Sequence, residues 1–122
     1  MVEDTENPKS TCKQELLAIH DSLDILGGKW KLQILKYLTN RTEQENNFTK
    51  IKNAITGISA KMLSKELRTL EDNLLVARNV SENNYALITY AITDYGKSVL
   101  PVTDTLLHWG LAHREKIKER FR

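Results

Sequence analysis

Three cations and a hydroxyl share one face of the stretch from Ser59 to Asn73 if that stretch is helical. Their spacings of three and four residues are those of neighbours along a helix, and the set comprises Lys61, Ser64, Lys65 and Arg68. Apolar residues recur on the opposite face, namely Leu63, Leu67, Leu70 and Leu74. A helix that buries leucines and presents a row of donors is suited to reading DNA bases. The alternative is an ordinary solvated amphipathic helix.

The individual side chains suit different DNA contacts. Arginine can pair with a guanine edge through two hydrogen bonds, whereas lysine serves either a base or a phosphate. The N-terminal end of such a helix enters the groove first, so we expect contacts from Ser59, Lys61 and Ser64, followed by Lys65. Arg68 has an equally good alternative, because a neighbouring carboxylate at Glu71 or Asp72 could pair with it on the surface.

Cations outside this stretch extend the candidate surface. Arg78 begins a β-rich segment and could bind a phosphate. Lys29 and Lys31 open another helical segment, where backbone N–H groups also attract phosphate. Trp30 lies between them, and its four-residue spacing to Ile34 favours a core residue over a ligand platform.

The order of elements gives these residues their positions. We predict a mobile polar tail over 1–10 and a single domain over 11–122, mostly α-helical with a small β-hairpin. The predicted elements are helices over 12–26, 29–38 and 48–55, a polar loop over 39–47, a glycine turn over 56–59, a helix over 59–73, strands over 75–80 and 86–93 with a tip at 81–84, and a last helical region over 94–120. Residues 48–73 thus form a helix-turn-helix, and residues 75–93 form a wing beside it.

Composition excludes several classes of protein. The net charge of +2 is modest, so a DNA surface must come from local clustering. The sequence shows no apolar run that could span a membrane and no signal peptide, and a single cysteine favours a cytoplasmic protein. His20, His108 and His113 lack metal-ligand spacing, and no phosphate-binding glycine loop or nucleophile motif is visible. We therefore expect no enzymatic activity, metal or cofactor.

The chain resembles the HxlR family of bacterial winged helix-turn-helix regulators, within the MarR-like superfamily. The resemblance rests on Cys12, the segment Leu26 to Leu32 (LGGKWKL), the segment Gly57 to Leu63 (GISAKML), Leu67-Arg68, Leu75-Val76, Tyr90, Thr93, Leu100-Pro101-Val102 and Trp109-Gly110. It implies a homodimeric, sequence-specific transcriptional regulator that binds a pseudo-palindromic operator. The chain has Leu74 where the family usually has a glycine, so we expect Asn73 to be the left-handed residue. The wing also departs from the family at Tyr85-Ala86-Leu87.

The last helical region carries more apolar surface than one small domain can cover. We expect residues 11–26 and 94–120 to form dimerisation helices, with an interface that includes Leu16, Ile19, Val102, Leu106, Trp109 and His113. Pro101 should kink or break the last helix. The alternative is that Trp109 folds back onto its own domain.

Cys12 is the remaining candidate for chemistry. The cysteine at this position senses electrophiles or oxidants in some relatives, so the resemblance makes Cys12 a candidate redox sensor. Its place near a helix start and beside Lys13 favours the thiolate, which is the reactive form. The alternative is an inert thiol.

Two further functions stay open at this point. Winged folds also serve as protein-interaction adaptors, because a fold alone does not decide a function. A small-molecule effector could also bind between the subunits, where the apolar last helix would line its pocket.

Overall fold

The structure is a computed structural model that describes residues 10–82 and 87–121. Its elements are α1 (Cys12–Leu26), α2 (Lys31–Thr39), α3 (Phe48–Ala54), α4 (Ala60–Asp72), β1 (Val76–Val80), β2 (Ile88–Ile92), a 3-10 helix (Gly96–Val99) and α5 (Leu100–Arg120). This order confirms the predicted fold class of helices with one small hairpin. The predicted tail, apart from Ser10, and residues 83–86 at the hairpin tip lie outside the described residues.

Helix α1 begins and ends as its sequence predicts. Thr11 accepts a hydrogen bond from the Gln14 backbone, and the Gln14 side chain accepts one from the Thr11 N–H, which forms a capping box. Gly27 ends the helix because its backbone is extended, with ψ 177°. A Cβ at that position would meet the Leu23 carbonyl oxygen, so the site requires glycine. Gly28 follows with φ +93°, a conformation that favours glycine.

The core lies where α2, α3 and α4 meet the wing. Its fully buried side chains are Ile34, Leu35, Leu38, Ile51, Leu63, Leu67 and Leu70. The turn between α3 and α4 contains Gly57 at φ +88°, and Ile58 from this turn is also buried. The two helices of the helix-turn-helix therefore share one core with α2.

The end of α4 differs from the prediction. Asn73 has an ordinary φ of −93°, and the left-handed residue is Leu74 at φ +67°. The Leu75 N–H donates to the Leu70 carbonyl and the Leu74 N–H to the Glu71 carbonyl, which is a Schellman motif. This motif requires the left-handed conformation one residue after the cap, so Leu74 adopts it although it carries a Cβ. Leu74 consequently leaves the leucine stripe and is 69% exposed.

The wing is an antiparallel hairpin in which Val76 pairs with Ile92 and Arg78 with Tyr90. The predicted polar loop before α3 also joins this sheet, because Asn47 forms a β-bridge with Thr89. Asn46 beside it is buried, and its carbonyl accepts a hydrogen bond from the Tyr90 N–H at 2.8 Å. The loop therefore fixes the wing to the helices. The polar composition of the loop gives no indication of this structural role.

The C-terminal region starts at Thr93, directly before the last helical region predicted over 94–120. The Thr93 Oγ1 accepts from the Gly96 N–H at 2.8 Å and donates to the Leu74 carbonyl at 2.7 Å. Pro101 lies in the first turn of α5, where a missing N–H leaves no helical hydrogen bond unmade. The predicted kink or break thus corresponds to the change from the 3-10 helix to α5 directly before Pro101. None of the described helices is both long enough and apolar enough to cross a membrane.

Candidate nucleic-acid interface

Helix α4 presents the predicted donors to solvent over a buried leucine face. The Ser59 hydroxyl caps the helix by accepting from the Met62 N–H at 3.0 Å. Leu63, Leu67 and Leu70 are at most 1% exposed, which fixes the rotation of the helix about its axis. The side chains on the other face are exposed, and they are Lys61, Ser64, Lys65 and Arg68.

A polar groove separates the C-terminal half of α4 from the wing. It measures about 600 Å³, and its walls are Ser64, Arg68, Glu71, Asp72, Arg78 and Tyr90. Arg78 and Tyr90 face each other across the hairpin. Within residues 10–82 and 87–121, no carboxylate lies within 4.0 Å of the Arg68 or Arg78 guanidinium nitrogens. The alternative of a surface ion pair for Arg68 is thus not observed, and both guanidinium groups face an open groove.

The two lysines at the start of α2 differ in accessibility. Lys29 is exposed, and its ammonium nitrogen lies 5.1 Å from the centre of the Trp30 ring. Lys31 is only 13% exposed and pairs with Glu66 of α4 at 3.2 Å. An ammonium group held in this way is not free to meet a phosphate. Lys29 therefore belongs to the candidate surface, and Lys31 is left out of it.

Trp30 packs against the core, in agreement with its interpretation as a core residue. The ring is partly buried against the core cluster, and its Cζ/Cη edge lies 3.7 Å from the position a Cβ would take on Gly57. The helix-turn-helix turn therefore rests on this indole.

The residues predicted for the dimer interface lie on exposed apolar surface. On α1, Leu16 is 62% and Ile19 59% exposed. On α5, Val102 is 45%, Leu106 49% and Trp109 64% exposed. The His113 ring stacks on Trp109 with 4.8 Å between ring centres, so Trp109 does not fold back onto the core. Cys12 is an exposed free thiol at the first position of α1.

Three features of the structure were missed from the sequence. Glu66 is 5% exposed, and it could have been noticed as a charged residue three positions after Leu63 and four before Leu70, within the leucine stripe. The Nδ1 atom of His20 lies 3.5 Å from a carboxylate oxygen of Asp21 and 3.6 Å from one of Asp24, all on exposed α1. This group contains only one histidine, so the spacing between histidines does not indicate it. The burial of Asn46 has no local sequence signal that we can identify.

A short helix, a glycine turn, a capped helix with an exposed cationic face and a hairpin beside it define a winged helix-turn-helix protein. The sequence profile of the HxlR-like helix-turn-helix family matches residues 25–118, and the chain belongs to that family. It is accordingly a transcriptional regulator of the helix-turn-helix type.

Individual relatives agree with this assignment. The chain is 31% identical to the HTH-type transcriptional regulator YdzF of Bacillus subtilis over 84% of this chain and 93% of YdzF. A solved structure of the regulator ytcD is 31% identical and superposes with a TM-score of 0.71 over 80% of this chain and 96% of that one. The quinone-bound structure of YodB from B. subtilis is 28% identical with a TM-score of 0.61, over 77% of this chain and 96% of YodB.

Proposed function

We propose that this regulator binds a pseudo-palindromic DNA operator as a homodimer and reads it with α4. The observation that carries the proposal is the exposed face of α4, on which Lys61, Ser64 and Lys65 project from a helix locked by buried leucines. Because these donors lie near the N-terminal half of the helix, they can enter a major groove first. Ser59, at the cap, lies beside the same end.

Residues around α4 would position the helix on the DNA backbone. Arg68 and Arg78 line the groove between α4 and the wing, where a phosphate could lie between two guanidinium groups that have no carboxylate within 4.0 Å among the described residues. Lys29 adds an exposed cation at the start of the neighbouring helical segment. Contacts of this kind fix register and orientation, whereas the donors of α4 would select bases.

A second copy of the chain is the proposed partner of the exposed apolar faces of α1 and α5. Burying these leucines and Trp109 removes a large apolar area from water, which favours association. A two-fold dimer would place two copies of α4 about one turn of DNA, ~34 Å, apart. This is the spacing that the half-sites of a pseudo-palindrome require.

Binding to duplex DNA at several salt concentrations tests the proposal. The probe is the DNA upstream of the chain's own gene, with random duplex of equal length for comparison. We expect preferential binding to the upstream DNA, with an affinity that falls steeply as salt rises. Lys61→Ala should weaken binding, because one contact of α4 is lost, and it should lower the salt slope by about 1 where that contact is to a phosphate.

Lys118→Ala is the matched control, because Lys118 is an exposed lysine near the end of α5, outside the helix-turn-helix and the wing and on the face of α5 opposite Trp109. It should leave both affinity and salt slope unchanged. Equal affinity of the native protein for upstream and random duplex would contradict the operator proposal and favour a protein-interaction adaptor.

We also propose that oxidants or electrophiles act on this regulator through Cys12. Support comes from the exposure of the thiol at the start of α1 and from YodB, a family relative solved with a bound quinone. Addition of the Cys12 thiolate to a quinone ring, which forms a thioether, or its attack on the disulfide of an oxidised small thiol, which forms a mixed disulfide and releases the other half as a thiol, would alter the end of a proposed dimerisation helix.

The test compares DNA release by diamide or quinone in the native protein and in Cys12→Ser. The variant should keep its DNA affinity and lose the response. If the oxidant releases both proteins equally, Cys12 is not the sensor, and a small-molecule effector becomes the better hypothesis. An open, mainly apolar cavity of about 440 Å³ between α2 and α5, lined in part by Tyr37, Ile55 and Leu107, is the place to look for one.

A further inference from the structure

Helix α1 is fixed to the rest of the domain mainly at its C-terminal end. None of residues 12–26, all of which the structure describes, is buried. Leu26 packs against the core, and the chain then turns at Gly27 and Gly28. Most of the α1 side chains therefore contribute little to fixing the angle between α1 and the core. That angle depends mainly on the contacts around Gly27.

One ammonium group connects that junction to the recognition helix. The Lys31 Nζ donates to the Gly27 carbonyl at 3.4 Å. The same nitrogen lies 3.2 Å from Oε1 and 3.3 Å from Oε2 of Glu66, which is 35 residues away in α4. Lys31 thus contacts the end of α1 and the middle of α4 at once.

Burial makes this connection specific. The side chains of Lys31 and Glu66 are 13% and 6% exposed, so solvent screens their attraction less than at the surface. Among the described residues, Lys31 is the only cation within 4.0 Å of the Glu66 carboxylate. The other ion pairs between described residues are more exposed, and none of them involves α4.

We propose that Lys31 is a positioning residue that sets the orientation of α4 relative to α1. The part of this proposal that concerns DNA rests on the proposed function. If α1 belongs to the dimer interface, its angle to α4 determines how the two copies of α4 are spaced, so Lys31 also determines which half-site spacing the dimer accepts. A displacement of the C-terminal end of α1 at Gly27 would reach Glu66 of α4 through this contact.

A distance between two spin labels tests the orientation directly, without DNA. One label is placed on the native Cys12 at the start of α1 and the other on Lys65→Cys in α4. Labelled full-length chain is diluted into excess unlabelled chain, so that only distances within one chain are measured. We expect one narrow distribution of distances in the otherwise native protein.

The informative variant is Lys31→Met combined with Glu66→Met. It removes both charges together, so neither is left buried and unpaired, and replacing a buried pair by apolar residues of similar volume preserves folding. We expect a folded protein whose label distances are shifted or broadened. Lys97→Met, which removes a local and exposed pair with Asp94, should leave the distribution unchanged. Lys31→Arg, which retains the cation, should also keep it narrow.

Binding to duplexes with altered spacing then tests the consequence for DNA. The footprinted upstream site is compared with the same site lengthened by two base pairs between its half-sites. The native protein should prefer the original by about tenfold or more, and the double variant by about threefold or less.

An unchanged label distribution in the double variant would overturn the proposal, whatever the result with DNA. A changed distribution with an unchanged spacing preference would overturn its DNA half. Absence of specific DNA binding by the native protein would instead refute the proposed function, and the label distances would still decide whether Lys31 sets the orientation.

Discussion

At the scale of single residues, the strongest departure from local preference is Leu74. The Schellman motif after α4 needs a left-handed residue, and an L-residue with a Cβ pays for that conformation. Leu74 is 69% exposed, so its side chain gains little from burial in return. The residue is thus conformationally strained, and burial of its side chain does little to offset that strain.

We predict that Leu74→Gly raises the free energy of unfolding by about 1 kcal/mol, because glycine adopts the left-handed region without steric cost. Urea denaturation of the two proteins measures the difference. Asn73→Gly is the control, since Asn73 has φ −93° and its side chain donates to the Thr69 carbonyl at 2.9 Å. The control should be destabilised, and a loss of stability in Leu74→Gly would refute the account of strain.

At the scale of elements, hydrophobic period and capping residues allowed most of the fold to be predicted. The predicted bounds of α1 and the predicted start of α4 agree closely with the structure because capping of helix ends is a local interaction between residues close in sequence. The spacing of Leu63, Leu67 and Leu70 gave the buried face of α4 for the same reason. Leu74 fits that spacing and is nonetheless exposed. The helix ends at Asp72, so the helical period no longer determines which way a side chain at position 74 points.

The parts of the site that could not be predicted depend on contacts distant in sequence. Lys31 is predicted as a phosphate ligand because it opens a helical segment, where backbone N–H groups also attract phosphate, and nothing local identifies Glu66 as its partner. Burial of Asn46 likewise depends on the strand that contains Tyr90, which lies 44 residues later in the sequence. The local pattern thus predicts the exposed cationic face of α4, and it gives no sign of the ion pair between Lys31 and Glu66.

The glycines of the C-terminal region give a prediction at this scale. Gly110 lies in the interior of α5. A Cβ added there would have no atom of the described residues within 4 Å, apart from its chain neighbours and the backbone of the helix itself. Gly110→Ala should therefore stabilise the protein by about 0.5–1 kcal/mol through the lower entropy cost of forming the helix. Thermal denaturation followed by circular dichroism measures the change.

Gly96→Ala provides the contrast, because its Cβ would meet the Leu75 carbonyl oxygen and lie 2.7 Å from Cγ1 of Ile92. We expect this variant to be destabilised. A lower melting temperature for Gly110→Ala would mean that helix propensity does not govern that position.

At the scale of the whole molecule, the unusual property is a domain with two long helices whose apolar residues remain exposed. Leu23, Leu106 and Trp109 are 61%, 49% and 64% exposed, whereas the core around α2 and α4 is closed. A shallow apolar groove between α1 and α5, lined by Leu23, Pro101, Val102, Thr105 and Leu106, joins these faces. This distribution is the physical basis of the proposed homodimer.

We predict that Leu106→Asp shifts the protein to a monomer, because a carboxylate would replace an apolar contact in the interface. Sedimentation at several protein concentrations measures the assembly state. His108→Asp is the control, since it places the same group two positions along α5, on a different face of the helix. Identical behaviour of the two variants would place the interface elsewhere.

The stacked pair of Trp109 and His113 has a further, optical consequence. Trp109 is largely open to water, whereas the chain's other indole, Trp30, is packed beside the helix-turn-helix turn. In Trp30→Phe, fluorescence would come from Trp109 alone, so a shift of its emission to shorter wavelength on concentrating the protein would report that water leaves α5. The molecule thus carries an intrinsic fluorophore on the surface where its assembly is proposed, and association could be followed without an added dye.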